Sequence, residues 1–349
     1  MYPFRQGLTY AREQWYVAAW SSEVTRTPLA RTLLDAPVVL YRTASGSPVA
    51  MHGMCLHRRF PLGLGKLNGD NIVCGYHGFT YNEHGSCVGI PSQDRIPANF
   101  QLRSYPLIEK WQWIWIWMGD PANADPALIP DHAALRLDSE GWFPAVGDLQ
   151  QLGARYQLLN ENVLDLTHVS FIHEGNIGSP EVATTPVEVS QQNGSVRVAR
   201  YLPKAPPPPV YAGMMGIPGA ADREIVTEYY PPALLVSGSE FFEPVAQPRS
   251  SSYGAFRVLH APTPETSRST HYFWAFSRTF GADDDALTQR FRVFLQEVLD
   301  QDKRAIEAQE QAIPEDANSL DDRSAASDVG ALKGRHLLEE LMQRELVTR

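Results

Sequence analysis

The chain has 349 residues, 43% apolar and 20% charged, which allows two domains with ordinary globular cores. A net charge of −10 argues against nucleic acid or an anionic membrane surface as partner, because both reward a basic face. Three cysteines cannot build a disulfide framework, no run of about 18 apolar residues could span a bilayer, and Met1-Tyr-Pro-Phe-Arg-Gln-Gly lacks a secretory apolar stretch. The expected setting is the reducing cytoplasm, with thiolates available for metal.

From Gln14 to about Gly119, short apolar runs such as Val38-Val-Leu-Tyr-Arg alternate with turn chemistry such as Ala44-Ser-Gly-Ser-Pro, which predicts a small all-β domain over 14–120. Trp111, Trp113, Trp115 and Trp117 alternate with Gln112, Ile114 and Ile116, the period of a strand buried on both faces. The proline-rich stretch Gly119–Pro130 reads as an interdomain connection.

The second domain is expected over 131–349, of α+β class. A helix is predicted from Tyr156 to Phe171, ended near Glu174-Gly-Asn. Strands follow at Glu224–Tyr230, Ala233–Phe242, Tyr253–His260 and His271–Phe280, in an antiparallel sheet. Lys204-Ala-Pro-Pro-Pro-Pro reads as a stiff surface connector, with a pocket cover as the alternative. Leu287 to about Ala312 is the strongest amphipathic helix, and polar Glu315–Gly330 leads to a last helix over Ala331–Leu346.

Two groups of residues carry chemistry. Cys55-Leu-His57 and Cys74-Gly-Tyr-His77 put two mixed Cys/His pairs on two loops. In a Rieske centre two thiolates hold one iron and two imidazoles the other, which raises the potential. A structural zinc site also accepts Cys₂His₂, although its usual spacing pairs like with like. Gly75 and Gly78 are expected to let the loop approach the sulfurs, and Cys87 reads as a small buried apolar residue. His52 and His84 receive no role.

The second group lies in Asn160–Gly175. His168 and His173 are five apart, about 140° around an ideal helix, so a regular helix cannot aim both at one metal; it must bend, bulge or end between them. Two histidines and a carboxylate make the facial triad of non-haem Fe(II) oxygenases. Asp302 falls within the apolar stripe Leu287, Phe291, Leu295, Val298, Ile306, whereas Asp300 is placed on the solvent side. A buried carboxylate needs a partner, either a metal or an arginine.

At these residues the chain resembles the Rieske non-haem iron oxygenases, especially the vanillate O-demethylase and dicamba monooxygenase branch. Gln14-Trp-Tyr-Val-Ala-Ala, the Rieske loops, Trp113–Gly119, the region of Asp165 and Gln301-Asp-Lys carry the likeness along nearly the whole chain. The resemblance implies a Rieske domain followed by a helix-grip domain. It assigns Cys55, His57, Cys74 and His77 to a [2Fe–2S] cluster, and His168, His173 and Asp302 to a mononuclear iron. It implies head-to-tail trimers in which Asp165 bridges His168 and His77 of the neighbouring subunit, with Asn162 near the iron. Leu56 stands where relatives usually have proline, and Tyr201–Tyr230 matches no member.

The implied activity is that of a terminal oxygenase using O₂ and NAD(P)H electrons, delivered by a separate flavin/iron–sulfur reductase or ferredoxin. It would hydroxylate a small aromatic substrate, with oxidative O-demethylation foremost. A ring dihydroxylase, methyl hydroxylase or N-demethylase would share the ligands, and an electron-transfer protein would need only the first group.

Overall fold

The computed structural model describes residues 3–4, 8–244, 251–314 and 323–347. Glu315–Asp322, most of the polar stretch expected before the last helix, lie outside the described residues. Backbone contacts divide the chain into two units, one of Arg12–Ile129 with Thr263–Ser267, the other of Met1–Ala11, Pro130–Pro262 and Arg268–Arg349.

In the first unit the alternating runs become three small antiparallel sheets. They are β1 (Trp15–Trp20) beside β10 (Trp113–Trp117) and β9 (Leu107–Lys110); β2 (Leu29–Leu33), β3 (Ala36–Arg42) and β4 (Pro48–His52); and β5 (Lys66–Asn68), β6 (Asn71–Val73), β7 (Thr80–Tyr81) and β8 (Cys87–Gly89). Every residue of β10 is buried, as its unbroken apolar run requires. The strand begins at Trp113 and not Trp111, which turns out of the ladder at φ 57.

The second unit is built on a seven-stranded antiparallel sheet. Its order is β11 (Phe143–Leu152), β17 (Ser269–Arg278), β16 (Ser252–Thr266), β15 (Leu234–Phe242), β14 (Ala221–Tyr230), β13 (Ser195–Ala205) and β12 (Glu188–Gln192). Between β11 and β12 lie α1 (Tyr156–Leu164), α2 (Val169–Ile172) and α3 (Pro180–Thr184), and α4 (Pro209–Met215) follows β13. After the sheet come α5 (Asp285–Ala312) and α6 (Val329–Val347).

Asp284 caps α5 by accepting from the Leu287 N–H at 2.8 Å, and the predicted stripe packs Phe291, Leu295 and Ile306 into the same core as Phe256, Val258 and Phe276. Glycine lets α6 lie close: a Cβ at Gly334 would stand 2.7 Å from Leu164 Cδ1, and one at Gly330 2.5 Å from Val198 Cγ2.

Three expectations change. The helix predicted over Tyr156–Phe171 breaks at Asp165–Thr167, giving α1 and the single turn of α2. The proline run is short, because Pro209 is already the first residue of α4 and carries Tyr211 into the core. Asp300 is half-buried and accepts hydrogen bonds from Gln150 of β11 and Gln296, at 3.3 and 2.9 Å.

Ion pairs, the Arg155–Glu310 pair buried, tie the helices together. Glu310 of α5 receives Nε and Nη2 of Arg155, the residue before α1, at 2.7 and 2.8 Å, and also Arg268 at 2.8 Å. Arg335 of α6 binds Glu161 of α1 in the same bidentate way, at 2.7 and 2.6 Å. Removing one partner from a buried pair leaves the other charge uncompensated, which costs roughly 3–5 kcal/mol. Glu310→Gln is therefore expected to destabilise the chain by about that amount, read from urea unfolding followed by circular dichroism.

Candidate metal centres

The two Cys/His loops share one backbone design. The Cys55 N–H donates to Phe60 O at 2.9 Å and the Cys74 N–H to Phe79 O at 2.8 Å. Each cysteine carbonyl accepts from the residue four later, Arg59 at 2.9 Å and Gly78 at 3.0 Å, and both of those residues have positive φ, 55° and 71°. Each loop is thus a closed turn holding its sulfur at the same place. Gly75 and Gly78 are needed for a reason other than sulfur approach: a Cβ at Gly75 would sit 2.9 Å from Leu64 O, and one at Gly78 2.9 Å from Pro91 Cγ.

Both sulfurs are buried, and the loops bring the His57 and His77 rings to 4.6 Å between centroids. His57 stacks on Phe79, and its buried Nδ1 has no hydrogen-bond partner. A polar atom left so is what a metal ligand looks like with its ion removed. Burial pushes the Cys55 thiol up, although the Tyr81 hydroxyl at 3.3 Å works the other way, so the thiolate is stable only against a cation. Cys87 stands apart on β8, half-buried against the same core, its Sγ 3.6 Å from Gly89 O.

The second centre forms where α1 ends. The Thr167 N–H donates to Asp165 Oδ1 at 2.7 Å, an Asx turn that stops α1 and restarts the helix at His168. His168 then precedes α2 and His173 follows it, so the angular conflict of a regular helix disappears. Their Nε2 atoms stand 3.5 and 3.2 Å from Asp302 Oδ1, and the three ligand atoms lie within 4.8 Å of one another.

Each histidine is fixed through its other nitrogen. His173 Nδ1 meets Gln301 Oε1 at 2.7 Å, and His168 Nδ1 meets the Asp165 main-chain carbonyl, which leaves both Nε2 atoms facing Asp302. Asn162 Nδ2 donates to Asp302 Oδ1 at 3.3 Å. Burial opposes charge on Asp302 and His173, but their contact outweighs it, holding the carboxyl below its ordinary value and the imidazole above.

The triad opens onto an apolar cavity walled by Leu295 and Val298 of α5, Phe256 of β16, Ile225 of β14 and Tyr211 of α4. Apolar walls with a few polar groups converging on one side suit a small organic ligand. His168 and Asn162 also line a separate polar crevice with Asp165, Gln309 and Arg335, so Asp165 lies outside the cavity, behind His168.

Residues 14–106 match the Rieske [2Fe-2S] domain family, and residues 152–344 match the vanillate O-demethylase oxygenase C-terminal domain. The chain belongs to the Rieske non-haem iron oxygenases. It is 34% identical to the iron-sulfur subunit of the toluene-4-sulfonate monooxygenase system of Comamonas testosteroni, over 96% of this chain and 98% of that one. It is 32% identical to the oxygenase component of dicamba O-demethylase of Stenotrophomonas maltophilia, over 97% and 99%. Dicamba monooxygenase bound to 3,6-dichlorosalicylic acid superposes with a TM-score of 0.89 at 31% identity, covering 97% and 99%.

This Rieske oxygenase is thus an oxidoreductase, the oxygenase component of an aromatic monooxygenase system, with an all-β Rieske domain and a helix-bearing antiparallel sheet domain. Among the described residues, no helix is long and apolar enough to cross a membrane.

The sequence assigns no role to Gln301, although Gln301-Asp-Lys carries part of the family likeness, and gives no sign of His260 or Arg223 as site residues. His260 lies in the cavity wall between Ser237 Oγ at 2.8 Å and the Tyr272 hydroxyl at 2.5 Å, and burial lowers its pKa to about 4, so it is neutral. Gln301 holds the remote nitrogen of His173, a candidate ligand, and loss of such a partner typically costs about 10–100-fold in metal affinity. Gln301→Leu should weaken ferrous iron binding at the triad by about 10–100-fold in anaerobic titration, without changing the visible spectrum of the Rieske domain.

Proposed function

We propose that the chain, with domains over 14–120 and 131–349, hydroxylates the methyl group of a small methoxylated aromatic compound, releasing formaldehyde. Electrons would come from NAD(P)H through a separate reductase. The observation that carries this reading is the two-histidine, one-carboxylate triad at the wall of an apolar cavity. Demethylation is favoured over ring dihydroxylation because dicamba and vanillate O-demethylases are among the relatives.

In this reading Cys55, Cys74, His57 and His77 hold the [2Fe–2S] cluster, and His168, His173 and Asp302 hold the iron. The donor sets fit both groups, thiolate and imidazole for the cluster, imidazole and carboxylate for ferrous iron. When bound, the cluster supplies single electrons and the iron supplies O₂ activation, chemistry that protein side chains do not provide. The chain's own residues do the positioning. Gln301 and the Asp165 carbonyl keep two imidazoles aimed inward, Asn162 steadies Asp302, and the apolar wall lowers water access to the reacting centre.

Asp165 faces the crevice side of His168, and His77 is exposed on its own unit, as a route through a second subunit of a homotrimer requires. Asp165→Asn keeps the main-chain carbonyl that meets His168 and an oxygen for the Thr167 N–H, so iron content and cluster reduction should persist. Product formation should fall by about 10–100-fold or more, the scale on which supporting residues act. Mixed trimers of His77→Ala and His168→Ala subunits, each inactive alone, should regain part of the activity. Hetero-trimers that form and stay inactive would remove the inter-subunit route. The reaction itself is tested by aerobic turnover with a reductase, screening methoxylated and N-methylated aromatics: formaldehyde in step with substrate loss supports demethylation, and a dihydrodiol product contradicts it.

A further inference from the structure

The cavity that holds the triad also holds a buried cation. Along β14, side chains alternate between faces, and Arg223, Ile225 and Thr227 line the cavity. Arg223 is 4% exposed. Its Nε donates to Ser239 Oγ at 3.1 Å and its Nη1 to Ile177 O at 3.2 Å, and the guanidinium lies 5.4 Å from the Phe241 ring centroid and 5.7 Å from that of Tyr211.

Among the described residues no carboxylate pairs with it. Its chain neighbours are engaged elsewhere: Asp222 accepts from the Tyr201 hydroxyl and the Lys204 N–H, and Glu224 pairs with Arg197. Asp302 lines the same cavity but is matched to His168 and His173. Burial lowers the Arg223 pKa to about 10, so the side chain remains charged at neutral pH. Two neutral acceptors and two ring faces offset only part of the several kcal/mol that a lone buried charge costs.

A guanidinium with free donors at the wall of an apolar cavity matches one kind of guest, a planar or tetrahedral anion attached to an apolar body. We propose that Arg223 is the specificity-determining residue of the substrate cavity, binding the carboxylate or sulfonate of an aromatic acid. The inference rests on the reading of this cavity as the substrate site. It adds the chemical class of the substrate and the residue that selects it: the acid group lies at Arg223, and the ring occupies the apolar space shared with the triad.

The test uses the holoenzyme and matched pairs of probes, 4-methoxybenzoate against 4-methoxybenzamide and 4-methoxybenzenesulfonate against its sulfonamide, with binding measured by calorimetry and formaldehyde measured in turnover. A charge-assisted pair in a buried site favours the acids by about 10–100-fold in Kd. Arg223→Met should erase that preference, and Arg223→Lys, which keeps the charge without the fork, should retain part of it.

Acids and amides binding equally to the unsubstituted enzyme overturn the proposal, whether or not Arg223→Met folds. An acid preference that survives in a folded Arg223→Met protein overturns it too. Formaldehyde made as readily from the amides defeats the anion site and leaves demethylation standing. Acids that bind through Arg223 without yielding formaldehyde defeat demethylation and leave the anion site standing.

Discussion

Asp302 is 6% exposed within the apolar stripe of α5, and its oxygen lies against two imidazole nitrogens and one amide. A carboxylate in that position is stable only if something positive shares its space, and much of the second unit serves to bring that about. The Asx turn at Asp165 releases His168 from α1, the single turn of α2 returns His173, and Gln301, next to Asp302 on α5, turns His173 toward it. The Arg155–Glu310 and Arg335–Glu161 pairs fix α1 against α5 and α6, so three ligands from two distant chain segments meet within 4.8 Å. A site held on packed helices in this way is more precise than one held on loops.

The Rieske loops meet a related demand by another device. Two closed turns with the same hydrogen-bond pattern present Cys55 and Cys74 from a buried floor and leave His57 and His77 near the surface. The two sulfurs lie inside, where burial pushes the Cys55 thiol up, and the imidazoles lie outside. That polarity suits a group that must be buried for stability and reachable for electron exchange.

Much of this is legible in the sequence. Residue type and short spacing expose the two Cys/His pairs, and the apolar stripe of α5 separates Asp302 from Asp300 because helix geometry is regular over 28 residues. What failed was local. The break at Asp165–Thr167 depends on one side chain accepting a backbone N–H, an event that the helical pattern on either side conceals. Gln301 and Arg223 are ordinary polar residues in sequence, and their importance comes only from contacts across the fold, 128 residues apart for Gln301 and His173. The solvent-side placement of Asp300 fails because the period of α5 does not show that β11 runs beside it and that Gln150 reaches across.

The most direct measurement is iron and acid-labile sulfide content, with the visible spectrum, for the unsubstituted protein and for Asp302→Ala and His57→Ala, all handled anaerobically. The two ligand sets predict about three irons and two sulfides per unsubstituted chain. Asp302→Ala should lose only the iron that lacks sulfide and keep the cluster spectrum, whereas His57→Ala should lose the spectrum. Zinc in place of iron, or a cluster that disappears with Asp302, would contradict two independent centres on one chain.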